Sequence, residues 1–209
     1  MNSPEEISQY LKKQGEVFSR TKNISQQIYE VGLKMVEWWQ EGRIFLGCGN
    51  GGSAAEISHM AGEATIRLRG DDTRPPFWFI NLAADSSILT AGANDLGYDE
   101  IFAHQVKACD WHIKRSGANF VLIGASTSGT SKNILRAFEE AKKISIPTVG
   151  LTCGSSEKPL VSQSDYSIVV PSVEGINTTQ ANQTANLAIW HIWFEMIASS
   201  WLKENPAQQ

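Results

Sequence analysis

Two short runs of glycine and hydroxyl residues are the first places in this sequence where chemistry could be done. One is Gly47-Cys48-Gly49-Asn50-Gly51-Gly52-Ser53, whose glycines let backbone N–H groups approach an anion at the start of a helix. The other is Ser126-Thr127-Ser128-Gly129-Thr130-Ser131. A single serine there would read as a helix cap, but so dense a run of hydroxyls beside helix N–H groups makes a phosphate cradle built without a cation. Between the loops, His59 and Glu63 stand four residues apart, which puts them on one face of a helix, one turn from each other. By spacing alone that pair is more readily a structural hydrogen bond than an acid–base or metal pair.

The elements that must carry these residues follow from hydrophobic patterning. Residues 43–48, 77–82, 119–125, 147–152 and 166–170 are short apolar runs bounded by Gly, Pro, Asp or Ser, the pattern of strands buried on both faces. Helical stretches at 53–68, about 97–109 and 131–144 lie between most of them, so the expected fold is α/β, a doubly wound, mainly parallel five-stranded sheet. Two helices (4–19 and 22–41) precede it, the first opening on Ser3-Pro4-Glu5-Glu6, a capping box with Pro at the first helical position. A long helix over 178–203 ends the chain. Residues 1–42 read as a helical segment for oligomer packing and 43–209 as the ligand-binding domain.

Both loops then fall at strand-to-helix turns, where open parallel sheets bind ligands. Gly47-x-Gly49-x-x-Gly52 also matches a dinucleotide fingerprint, but the first acid beyond the second strand is Asp85, 33 positions after Gly52, where about 20 is needed. With no GxxxxGK[ST] run, nucleoside triphosphate chemistry is not expected either.

Composition narrows the class further. The chain of 209 residues carries 18 basic and 22 acidic side chains, net −4, with no basic cluster, so no nucleic-acid partner is expected. The N-terminus is acidic and polar where a signal peptide would be basic and then apolar, and the apolar stretch 185–202 is interrupted by Asn186, His191 and Glu195; a cytoplasmic protein without membrane contact is the expectation. Cys48, Cys109 and Cys153 have no metal or disulfide spacing and read as core residues. Only 19% of residues are charged while seven are Trp, which predicts Trp in a subunit interface. Trp38, Trp39, Trp190, Trp193 and Trp201 in the flanking helices are the candidates.

Taken together, GNGGSAAE, His59-x-x-x-Glu63, Asp85 ahead of AGANDLGYDEIF, and STSGTS resemble the sugar isomerase (SIS) domain, and within it the phosphoheptose isomerase branch, over nearly the whole chain. The resemblance implies a flavodoxin-like three-layer sandwich, a homotetramer with active sites at subunit interfaces, and a place in heptose and lipopolysaccharide biosynthesis. The implied reaction interconverts sedoheptulose 7-phosphate and D-glycero-D-manno-heptose 7-phosphate through an enediolate, which needs a base and a group to steady the oxyanion. Carried over by position, Ser126, Thr127, Ser128 and Ser131 would hold phosphate. Asn50, Gly51, Gly52, Ser53, Asp85, Asn94, Asp95 and Gln180 would line the sugar site, and Glu63 would be the acid/base. An optional Zn2+ acting as Lewis acid would sit on His59, Glu63 and Gln180.

The match departs in the last helix. The family carries a Gln near its start and, two turns later, a His that is the second acid/base and a metal ligand. Counted without gaps from Val170-Pro171 these positions are Gln180 and Ala188. His191 is the nearest substitute for the second catalytic group, with His104 or water as the other acids. It lies about 20° from Gln180 around the helix, but about 4.5 Å further along than position 188. That displacement favours a core or interface histidine. Asn177 with Gln180 also makes a capping box, and Gln183 stands where a His is usual. The alternatives are a non-catalytic binding protein similar to the bacterial DnaA initiator-associating protein, or an isomerase or sensor for another phosphosugar.

Overall fold

The structure is a computed structural model that describes residues 2–70 and 72–206. Strands β1 (Ile44–Gly49), β2 (Phe79–Asn81), β3 (Phe120–Ala125), β4 (Thr148–Cys153) and β5 (Tyr166–Val170) form one sheet. Its order is β2-β1-β3-β4-β5 and every pairing is parallel. β3 and β4 are buried along their whole length, as unbroken apolar runs require when helices cover both faces. Alternate residues feed two cores. Phe45, Val121 and Ile123 face a layer made by α1 (Pro4–Thr21), α2 (Ser25–Gln40), α3 (Gly52–Thr65) and α8 (Thr178–Glu204). Leu46 and Leu122 face α5 (Ile101–Ser116) and α6 (Lys132–Lys143).

The expected strands and long helices are all present within a few residues. Two further helices were not foreseen, α4 (Ser86–Asp95) and α7 (Pro159–Gln163). α4 is short and none of its residues is buried, so it leaves little apolar periodicity in the sequence. The helix expected at 97–109 begins later, after a single 3-10 turn at Tyr98–Glu100, and runs to Ser116. All three cysteines are buried free thiols. No helix among the described residues is long and apolar enough to cross a membrane.

Three of the five candidate interface tryptophans are corrected, whereas Trp39 and Trp201 meet edge to face at 6.3 Å and stay half-buried. Trp190 and Trp193 are 0% exposed and Trp38 4%, so they belong to the core of the protomer, where Trp193 Nε1 donates to the Ile28 carbonyl at 2.9 Å. Phe79 and Trp190 meet edge to face at 5.7 Å, locking α8 onto β2. The apolar surface of the flanking helices lies instead at Ile7, Leu11, Phe18, Tyr29, Leu33 and Ile192, while the exposed tryptophans are Trp78 and Trp111.

One buried carboxyl sits in the seam between α3 and α8. Burial pushes Glu56 up to about 8, opposed in part by the nearby Asn186 amide, which among the described residues is the only group that offsets the burial of its oxygens, neither of which meets a donor in full hydrogen-bond geometry. Relative to an ordinary carboxyl near 4.5, the folded state therefore holds an extra proton. Stability from this group is fully present below that value and is lost as pH rises through about 8. Glu56→Gln, which cannot ionise, should gain Tm over the unmodified chain progressively from about pH 5 to pH 8.5, by an amount that reports up to roughly 1.4 kcal/mol per pKa unit. A Tm difference independent of pH would contradict the neutral buried carboxyl.

Candidate active site

The strand order changes direction between β1 and β3, since β2 lies on one side of β1 and β3 on the other. Connections leaving the two strands diverge there, and a crevice opens at their carboxyl ends. Gly49 and Ala125 are partners at the last register position, so the glycine loop and the serine loop leave the sheet side by side. Each runs into a helix that no side chain caps, α3 with Gly51 and α6 with Ser131 at the cap position. By contrast Ser3, Asp85 and Asn177 close α1, α4 and α8. The Ser53 N–H donates to the Asn50 carbonyl and the Ile134 N–H to the Ser131 carbonyl, while among the described residues the N–H groups of Gly52, Lys132 and Asn133 have no partner and face the crevice end of their helices, where an anion can be held.

The two loops are tied together by a reciprocal amide pair. Asn50 Nδ2 donates to Asn133 Oδ1 at 3.0 Å and Asn133 Nδ2 to Asn50 Oδ1 at 2.8 Å, where the Tyr98 hydroxyl also donates at 2.9 Å. Asn133 is 2% exposed. In the serine loop the Ser126 hydroxyl lies 3.0 Å from that of Ser131 and 3.3 Å from that of Ser128, and accepts from the Gly129 N–H at 3.1 Å. Three of the four expected phosphate residues thus share one hydroxyl cluster. The fourth, Thr127, presents its carbonyl to Lys158 Nζ at 2.7 Å. The expectation of a cradle without a cation is corrected by this contact. Lys158 escaped notice because it is 27 residues beyond Ser131, brought back by the turn after β4.

α3 and α8 run side by side in the same direction. At their start Gln183 lies over Gly52, so closely that a Cβ on Gly52 would meet its amide at 2.3–2.6 Å. Further along, Glu63 Oε1 is 3.0 Å from His59 Nε2 and 3.4 Å from His191 Nε2, and the two imidazole nitrogens are 3.2 Å apart. His191 is therefore not a core histidine: α8 starts far enough along α3 that position 191 is level with Glu63. Position 188 faces the other way, into a groove shared with α1 and α2. The spacing of eight that separates Gln180 from Ala188 also separates Gln183 from His191.

Gln180 is not brought to this cluster. It lies eleven residues before His191, about 16.5 Å along the axis, and its side-chain oxygen accepts from the Tyr10 hydroxyl at 3.2 Å. Asp85 Oδ1 accepts from the Ser87 and Ile88 N–H groups as the cap of α4. Asn94 and Asp95 pair with each other at the far end of that helix, about 14 Å from Asp85. Ser53 is buried in the first turn of α3. His104 is on α5, on the opposite face of the sheet from Glu63.

His59, Glu63 and His191 form a group whose ligand atoms all lie within 4.8 Å of one another. The donor set, two imidazoles and a carboxylate, is one that zinc favours, and bonds of about 2.0–2.1 Å in a tetrahedral site put ligand atoms about 3.3 Å apart, close to the separations found here. Glu63 Oε2 is buried with no partner, so a second acceptor is available as well. The end of α3 that carries Glu63 is held by Arg74. Its guanidinium donates to the Glu63 carbonyl at 2.5 Å and the Ala64 carbonyl at 3.1 Å, and pairs with Asp72 at 3.0 Å with both side chains nearly inaccessible.

Comparison with known proteins identifies the family. Residues 9–153 match the family model described as SIS domain. The phosphoheptose isomerase of Chlorobaculum parvum is 38% identical over 175 residues, 84% of this chain and 79% of that protein. Among solved structures, a phosphoheptose isomerase from Francisella tularensis superposes with a TM-score of 0.82 at 28% identity, covering 95% of this chain and 100% of that one. One from Neisseria gonorrhoeae gives 0.78 at 27% identity, over 93% and 98%.

The bridge between the loops is testable without any ligand. Asn133→Ala removes a buried amide and strands that of Asn50, so urea unfolding should show a loss of about 1–3 kcal/mol. A loss below about 0.5 kcal/mol would show that the loops are not joined through this pair.

Proposed function

The chain belongs to the SIS-domain family, and within it we propose a phosphoheptose isomerase, a cytoplasmic aldose–ketose isomerase that interconverts sedoheptulose 7-phosphate and D-glycero-D-manno-heptose 7-phosphate. The observation that carries this reading is Glu63 held between His59 and His191 along the helix that leaves the crevice. Its relatives of the same name support the substrate.

Each part of the site has one task in such a reaction. The hydroxyls of Ser126, Ser128 and Ser131, with Thr127 and the N-terminus of α6, hold the phosphate. Asn50, Gly51, Gly52, Ser53 and Asp85, with Asn94 and Asp95, remain the proposed sugar contacts. Glu63 takes the proton from the carbon beside the carbonyl and returns it to the neighbouring carbon. His191 gives and takes the proton on oxygen. The residues fit zinc, which when bound polarises the substrate oxygen; His59, Glu63 and His191 would hold it. A non-catalytic binding protein drew its support from Ala188, and His191 beside Glu63 removes that support.

Purified protein, with and without added zinc, should isomerise sedoheptulose 7-phosphate, and Glu63→Gln and His191→Ala should each lower kcat by about 10²–10⁴. Silence of the unmodified protein under both conditions would end this reading. A much higher kcat/KM on a different ketose phosphate would keep the chemistry and replace the substrate.

The same reading makes the protein a homotetramer, with residues 1–42 as its packing segment. Exposed Phe18, Tyr29 and Ile192 border a groove of about 620 Å³ between α1, α2 and α8, an apolar face suited to a second copy of the chain. Light scattering should give a multiple of the 23.0 kDa protomer, and Phe18→Glu should shift it to smaller species. A well-folded monomer at micromolar concentration would contradict the assembly.

A further inference from the structure

We infer that Lys158 is a positioning residue of the phosphate loop: it holds the Thr127–Ser128 peptide in the orientation that aims the Ser128 N–H, and not the Thr127 carbonyl, at the bound anion. The inference rests on the serine loop being the phosphate site.

Three donors converge on the Thr127 carbonyl oxygen, Lys158 Nζ at 2.7 Å, Thr152 Oγ1 at 3.2 Å and Cys153 Sγ at 3.4 Å. All three come from the end of β4 or the turn after it, so the carbonyl is drawn to the β4 side of β3. No peptide bond among the described residues is cis, and in a trans peptide the N–H points opposite to the carbonyl. Since β3 lies between β1 and β4, the Ser128 N–H is directed towards β1, where the crevice opens. That N–H has no protein partner among the described residues, as expected of a donor kept for a ligand.

Without these donors the peptide would be freer to rotate and turn a carbonyl dipole towards the phosphate, where it repels. An ammonium is the strongest of the three because its hydrogen bond is charge-assisted. Among the described residues it has no carboxylate partner; the carbonyl is its recorded contact. A full positive charge is thus left directly behind the loop, in a chain whose net charge is −4.

The loop is shaped to admit this side chain. Gly129 has φ +67°, and a Cβ there would lie 2.7 Å from Lys158 Cδ and 2.8 Å from its Cβ. The glycine therefore serves both the left-handed turn and the passage of the lysine stem across it. The Leu160 N–H donates to the Gly129 carbonyl at 3.0 Å, fixing α7 and the base of Lys158 to the same loop.

Lys158→Met keeps the stem and removes the charge. KM for sedoheptulose 7-phosphate and the inhibition constant of inorganic phosphate should both rise about tenfold or more, with kcat within about threefold because Glu63 and its imidazoles are untouched. Lys158→Arg should restore both constants to within about threefold. Thr152→Val, which removes a weaker donor to the same oxygen, should move them in the same direction by a smaller factor, and decides the matter should Lys158→Met fail to fold. Unchanged constants in Lys158→Met, or a fall in kcat that Lys158→Arg does not rescue, would overturn the role of Lys158. If the unmodified protein shows neither turnover nor any phosphate-dependent rise in Tm, the serine loop itself is misassigned and Lys158 falls with it.

Discussion

A parallel sheet that grows outward from its middle has one place where neighbouring loops part company, and the site depends on that constraint. Here it lies between β1 and β3, whose last residues, Gly49 and Ala125, are register partners. The glycine loop and the serine loop emerge there together, and each leads into a helix left uncapped by any side chain. Anion binding thus follows from topology and cap chemistry before any individual side chain is considered. Such a site would need no positive net charge on the protein to hold a phosphate. It combines fixed backbone dipoles and hydroxyls with a single ammonium placed behind one loop.

A second constraint sets the acid–base chemistry. Glu63 and His191 are far apart in sequence and meet only because α3 and α8 lie parallel and close, with Gln183 against the glycine backbone of Gly52 at one end and the two imidazoles about Glu63 at the other. Arg74 and Asp72 terminate α3 as a buried, paired charge. Phe79, Trp190 and Phe194 fill the space beneath α8. The core tryptophans therefore help to set the axial position of α8, and through it which residue faces Glu63. Their burial here means that the apolar surface left for oligomer contacts is made of other residues, among them Phe18, Tyr29 and Leu33.

The degree to which the site could be read in advance follows the distance over which each feature is specified. Sheet strands were legible as unbroken apolar runs, and both loops as local glycine or hydroxyl motifs, because each is defined within a handful of residues. α4 was not, since its exposed face carries no period and its one clear signal is the capping Asp85. His191 is less legible: the connection from β5 to α8 sets where along α3 the last helix sits, and a count without gaps from Val170-Pro171 points to Ala188, three residues before the histidine that lies beside Glu63. Glu63 needs only its own helix to be recognised beside His59, whereas His191 needs the packing of two helices, and Lys158 needs a turn between strand and helix to bring it back to Thr127.

The proposed reaction requires one sugar phosphate to reach both the serine loop and the Glu63 cluster. A crystal structure of the protein soaked with sedoheptulose 7-phosphate and zinc, with anomalous data at the zinc edge, tests it most directly. The account predicts phosphate oxygens within hydrogen-bond distance of Ser126, Ser128 and Ser131 and of the Ser128 N–H, the carbonyl end of the same molecule against Glu63, and an anomalous peak between His59, Glu63 and His191. A sugar phosphate seated away from the serine loop, or zinc bound elsewhere with Glu63 facing no substrate carbon, would contradict it.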